Sequence, residues 1–119
     1  MVHPEEEWRA HLAAGRFMIQ HSPSTGGHVF YPRVCEPGTG AQDLEWVEAS
    51  GRGTVHAVTV VRKKVPTDSY NVVLVDLEEG PRLMGRVDDI DHDGIAIGMA
   101  VAARIVTKDD QPMLVFVPA

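Results

Sequence analysis

The sequence predicts a mainly β protein in which a short helix and a small ribbon precede a five-stranded barrel. Three observations carry that expectation. Residues 54–117 hold five short apolar or β-branched runs divided by turn formers, with no helical period between the third and fourth. Residues 17–34 hold two briefer apolar runs across a turn-rich bridge, and the helical signature, Pro4 to Ala14, lies ahead of both. A chain of 119 residues suits one compact domain, or a small core with an appendage.

The helix follows from its ends. Pro4 fits a first-turn position, Glu5, Glu6 and Glu7 place negative charge at the positive end of the dipole, and Gly15 suits the C-terminal cap. Trp8 and Leu12, four apart, share a face and pin the helix to the body. The runs Phe17-Met18-Ile19 and Val29-Phe30-Tyr31, joined through SPSTGGH, read as a hairpin or ribbon. A second loop, CEPGTGAQ, leads to a brief extended piece, Leu44 to Val47.

The barrel strands are Thr54–Val61, leaving the glycines of SGRG, then Asn71–Leu77 and Arg82–Val87 joined by EEGP, then Met99–Val106 and Met113–Val117. Five such strands match a Greek-key barrel of the OB type, its usual capping helix missing or reduced to DDIDHDG. The expected division is 1–47 for helix and ribbon and 48–119 for the barrel.

Charge and composition exclude several classes. The net charge of −6 repels nucleic acid, the only basic cluster is Arg62-Lys63-Lys64, and aromatics at 6% offer few stacking platforms. No apolar run reaches the ~20 residues that span a bilayer. The N-terminus shows neither a secretory nor a transit pattern, so a cytoplasmic location is expected, and one cysteine agrees with a reducing compartment.

Several short motifs invite chemistry and give simpler readings. DIDHDG opens like a calcium loop, but its twelfth position is Ala100 where a bidentate glutamate is required, so it reads as a solvated turn with Gly94 at positive φ. SGRGTV lacks the third glycine and following helix of a dinucleotide site, and reads as a bend entering the barrel. His56 reads as a structural histidine on one face of a strand. Asp76, Glu78 and Glu79 read as a solvated edge or turn cap. Cys35, with no base supplied by the sequence, is expected to be a small buried hydrophobe.

Taken in order, WRAHLAAGRFMIQ, FYPRVC, LEWVEASGRGTVHAVTVV, YNVVLVDLEEGPRLMGRV, IAIGMAVAARIV and LVFVPA resemble the zinc-ribbon plus OB-fold proteins of acyl-CoA metabolism, long catalogued as a domain of unknown function. SGRGTV, LVDLEEGPRLMGRV and IGMAV carry most of the resemblance, which spans nearly the whole chain. It implies a rubredoxin-like ribbon whose zinc is held by two Cys-x-x-Cys pairs. Aligned on GRFMIQ and YPR, those positions are Ser22, Thr25, Cys35 and Gly38, so three of the four sulfurs are missing and the ribbon is degenerate. No zinc and no other cofactor are expected, because hydroxyls poorly replace thiolates. Packing of Phe17, Ile19, Phe30, Tyr31 and Trp46 would then hold the ribbon. The sequence leaves open whether His21, His28 and Cys35 bind any metal.

The resemblance further implies a non-catalytic accessory or scaffold subunit for a thiolase-like, hydratase or aldolase enzyme acting on acyl-CoA, helping to form its CoA channel. Trp8, Phe30 and Tyr31 are the candidate partner anchors. Arg33, Lys63 and Lys64 are candidate contacts to CoA phosphates. A second copy of the chain is a further candidate partner. The alternative is a free-standing OB-type module for a nucleic acid or small ligand.

Overall fold

The computed structural model describes residues 3–35, 38–40 and 42–119, without the Pro66 side chain. Met1, Val2, Glu36, Pro37 and Ala41 lie outside it, and with them part of the expected CEPGTGAQ loop. Along the chain come α1 (Pro4–Ala13), β1 (Met18–His21), β2 (His28–Val29), β3 (Glu45–Glu48), β4 (Arg52–Val61), β5 (Tyr70–Leu77), β6 (Arg82–Gly85), β7 (Ala100–Lys108) and β8 (Gln111–Pro118). None of the described helices is long and apolar enough to cross a membrane.

α1 runs as expected, with proline and three glutamates in its first turn and Gly15 at φ +80° beyond its last. Leu12 is buried, Trp8 half-buried, and the helix packs on β8 and β1. The expected hairpin and the separate extended piece form one antiparallel sheet in the order β2-β1-β3. β3 is the longer partner of β1, pairing all four of its residues from Met18–Glu48 to His21–Glu45.

The second sheet is antiparallel in the order β6-β5-β4-β7-β8. It curls until its edges meet in a parallel bridge between Val87 and Phe116. There the Phe116 N–H donates to the Arg86 carbonyl at 2.9 Å, and the Asp88 N–H to the Phe116 carbonyl at 2.8 Å. Third strand beside fifth, in parallel, is the closure of an OB-type barrel. Between β6 and β7 the capping helix is reduced to the 3-10 turn His92–Gly94.

Both sheets share one core. Phe17 and Ile19 lie in the same buried cluster as Val55, Val73, Val75, Leu77, Leu83, Val101 and Phe116. Alternation along β5 buries Asn71, Val73, Val75 and Leu77, the inward set of a sheet with one covered face. On β4 the alternation is interrupted: the register with β5 shifts between Val55 and Ala57, leaving His56 as an exposed bulge residue.

The SGRG glycines serve two purposes. Gly51 bends the chain at φ +80°, while a Cβ on Gly53 would stand 2.5 Å from Val75 Cγ1 and 3.0 Å from the Asp76 carbonyl oxygen. The turn reading of DIDHDG needs a correction, because Gly94 does not take positive φ. Its N–H donates to the Asp91 carbonyl at 2.8 Å within the 3-10 turn, a right-handed geometry. The left-handed residue is Asp89, at φ 62°, whose carboxylate pairs with Arg104 at 2.7 Å. Gly94 is small for want of space, since a Cβ would lie 3.1 Å from Ile90 Cδ1.

Gly53→Ala is expected to destabilise the fold by about 1–3 kcal/mol, because the added methyl meets core side chain and backbone at once. Equilibrium urea unfolding of the variant beside the parent measures the loss.

Candidate functional site

An open groove of about 830 Å³ lies where α1, the Phe30–Pro32 segment and the β6 and β8 edges converge. The barrel creates it: β6 and β8 touch at Val87 and Phe116, while Leu83 and Met84 on one side and Met113 and Leu114 on the other line the groove. Trp8, remote in sequence from the adjacent Phe30 and Tyr31, meets them in its lining. Trp8 and Phe30 stack edge to face at 5.6 Å between centroids, and Phe30 and Tyr31 lie at 4.6 Å.

Tyr31, expected in the ribbon core, is instead 51% exposed, because its phenol reaches outward to accept the Met84 N–H at 3.2 Å. Met84 is 60% exposed. Sequence reasoning missed Met84. Its signal was the outward parity of β6, where Leu83 is buried and Arg82 and Met84 are exposed. The Trp8 indole N–H is buried and has no hydrogen-bond partner among the described residues. Trp46 also departs from a core role: half-buried, it donates its indole N–H to Glu7 at 3.3 Å and stacks on His11.

The loops of the small sheet are tied by hydrogen bonds among hydroxyl, amide and carboxylate groups. Ser22 is fully buried; its N–H donates to the Gly27 carbonyl at 2.8 Å, and Gly26, at φ +78°, donates to the Ser22 carbonyl at 2.7 Å. The Ser22 hydroxyl donates to Asp43 Oδ1 at 3.3 Å and lies 3.3 Å from the Ser24 hydroxyl. The Ser24 N–H donates to Asp43 Oδ2 at 3.0 Å. Thr25 Oγ1 accepts the Gly27 N–H at 3.2 Å.

Cys35 is exposed rather than buried, on the loop beyond Arg33 where no described element covers it. Ser22, Thr25, Cys35 and Gly38 therefore do not fit a zinc ion: one sulfur is present, Gly38 has no side chain, and the Ser22 hydroxyl already faces a carboxylate. His21 and His28 stand opposite each other, rings 4.9 Å apart, with His21 Nδ1 3.0 Å from Glu45. Among the described residues, no group of three or more His, Cys, Asp or Glu is placed to hold a metal ion.

The three candidate phosphate contacts lie apart from the groove. Arg33, Lys63 and Lys64 are exposed, and none lines it. Lys63 sits 6.0 Å from the Tyr70 ring centroid, in a shallow cleft shared with Arg62, Asp91 and Asp93, and Arg62 pairs with Asp93. At the β5–β6 turn, Asp76 accepts Arg82 at 2.5 Å and lies 3.4 Å from His56 Nδ1. Glu78 accepts Arg52 at 2.7 Å, and Glu79 accepts the Ser50 N–H at 2.6 Å, capping the Ser50–Gly51 turn.

The profile of the family described as "ChsH2, C-terminal OB-fold domain" matches residues 46–106, half of the chain. The chain belongs to this family. The chain also aligns with a DUF35 domain-containing scaffold protein of Methanothermobacter thermautotrophicus, 36% identical over 80 residues, 60% of the chain and 59% of the relative. It is 37% identical over 78 residues to the 3-oxo-4,17-pregnadiene-20-carboxyl-CoA hydratase alpha subunit of Mycobacterium tuberculosis, covering 63% of the chain but 25% of the subunit. It thus spans three fifths of one curated relative and a quarter of the other. Among solved structures it resembles a chain of the Ltp2-ChsH2(DUF35) aldolase, with a TM-score of 0.85 and 29% identity over 99% of this chain and 96% of that one.

Among the described residues, three carboxylates are held below their ordinary range: Asp43 chiefly by the Ser24 hydrogen bond, Asp76 by Arg82 and Glu78 by Arg52. A depressed folded pKa means that the unfolded chain binds more protons in this window. The stability these groups contribute is present above their ordinary values of 3.8 and 4.5, and is lost as pH falls through the folded values. Thermal melts should therefore change little between about pH 7 and 5 and drop below about 4. Asp76→Asn should flatten part of that acid slope, and an unchanged slope would refute the assignment.

Proposed function

We propose that this chain is a non-catalytic accessory or scaffold subunit that docks an acyl-CoA enzyme through the groove between α1, the Phe30–Pro32 segment and the barrel edges. The observation that carries the reading is the likeness, over 99% of the chain, to a chain of the Ltp2-ChsH2(DUF35) aldolase. The names of the aligned relatives, a scaffold protein and a CoA hydratase alpha subunit, support the same role.

The groove supplies what such docking needs. Trp8, Phe30 and Tyr31 are aromatic anchors, and Met84 and Met113 are adaptable apolar surface. The orphan Trp8 N–H is a donor that an acceptor from a docked partner would complete. The enzyme is of hydratase, aldolase or thiolase-like type, and the subunit helps shape its CoA channel. Arg33, Lys63 and Lys64 face solvent, where they are accessible to CoA phosphates. The carboxylates of Asp91 and Asp93 beside Lys63 weaken that cleft as an anion site.

Affinity purification of the tagged chain from its native cells, with mass spectrometry of the intact complex, tests the proposal. Recovery of an acyl-CoA enzyme in fixed stoichiometry is the expected result. Tyr31→Ala and Met84→Glu should each cost about 2 kcal/mol of association, a roughly thirtyfold weaker complex, with the melting temperature of the free chain nearly unchanged. A chain that stays monomeric and retains no such enzyme overturns the proposal.

A further inference from the structure

The loops of the small sheet lack the donors for a metal, yet their backbone is tightly tied. One tie is the Asp43 carboxylate, which accepts the Ser22 hydroxyl and the Ser24 N–H across the first loop. The other is Gln20, a buried carboxamide on β1 bonded in both directions to Arg33. Gln20 Nε2 donates to the Arg33 carbonyl at 2.6 Å, and the Arg33 N–H donates to Gln20 Oε1 at 2.6 Å. That pair anchors the chain just past Phe30, Tyr31 and Pro32, two residues before Cys35.

We propose that these two hydrogen-bond clasps, Asp43 on the first loop and Gln20 on the second, take the place of a metal in holding the small sheet closed, and that Gln20 is the positioning residue for the Phe30–Pro32 wall of the groove. The chemistry favours this substitution. A metal draws two loops together by binding donors from both; here each loop is fastened separately to a strand or a flanking residue, so no common ligand point is needed. Gln20 suits its place because one carboxamide satisfies both the N–H and the C=O of a residue outside any strand, groups that would otherwise be left unpaired beside a buried side chain. Asp43 suits its own because a carboxylate has lone pairs enough to take a hydroxyl and an amide at once. The link to partner docking rests on the function proposed above. Metal independence and loop closure do not.

The test is amide hydrogen exchange on the full chain, read at Ser24 and Arg33, together with the metal content of protein purified without chelator. The untreated protein should carry no stoichiometric zinc, and EDTA should leave its melting temperature and both exchange rates unchanged. Asp43→Ala should speed exchange at Ser24 by about tenfold and leave Arg33 protected, and Gln20→Met should do the reverse. Because Gln20 is buried and its replacement risks unfolding the sheet, the surface Asp43→Ala variant keeps the test decisive by itself. One zinc per chain, loop opening by EDTA, or unchanged exchange at Ser24 in Asp43→Ala would each overturn the proposal. If the clasps behave as stated and no partner enzyme is recovered, the docking role fails while the clasps stand.

Discussion

The barrel depends on a single buried carboxamide at the point where its sheet stops being regular. β5 and β6 pair from Asp76–Arg82 to Val73–Gly85, and two residues further the same register sets Asn71 opposite Val87. By then the chain has left β5 to meet β8, and no backbone pair is made across the gap. Asn71 fills it. Its Nδ2 donates to the Val87 carbonyl at 3.0 Å, and the Val87 N–H donates to its Oδ1 at 2.8 Å. The outer side of the same stretch bonds to Phe116 through Arg86 and Asp88. Without the amide, a buried N–H and C=O would be orphaned at the barrel seam, at about 1–3 kcal/mol each.

The groove is a consequence of how far that closure extends. Phe116, fully buried, holds the seam shut against Gly85, where a Cβ would sit 3.2 Å from its ring. Nearer the start of β8 the two edges separate. Pro112 there has no N–H to offer a neighbouring strand. The space is covered instead by α1 and the Phe30–Pro32 segment that follows β2, so helix, loop segment and barrel each contribute one wall. A surface held in shape before docking is preorganised, and preorganisation reduces the entropy lost on association. Gln20 extends to the small sheet the device Asn71 supplies to the barrel: a side-chain amide standing in for a strand partner.

Strand positions were legible in the sequence because apolar and β-branched runs there are bounded by turn formers. VVLV and LM are continuous apolar runs whose alternate burial only the fold reveals, and SGRG marks a bend. The groove was legible in part. Aromatic residues flagged Trp8, Phe30 and Tyr31, but Met84 and Met113 come from strands whose meeting is a long-range event. Cys35 was misread as buried because its burial depends on neighbours that the fold does not supply. Gly94 was misread because glycine answers equally to a positive φ and to a lack of room, and only the Ile90 side chain decides between them.

The clasps lie at the far end of that scale. Gln20, Asn71 and Asp43 are common polar residues whose sequence neighbours say nothing of their partners, which sit 13, 16 and 21 residues away. Local propensity and hydrophobic period, acting over a few residues, determined the helix, the strands and the turns. Tertiary structure alone decided which edges meet, where the seam opens and which amides close it. Hydrogen bonds between distant segments are directional and depend on the geometry of both partners, whereas burial needs only a matching period.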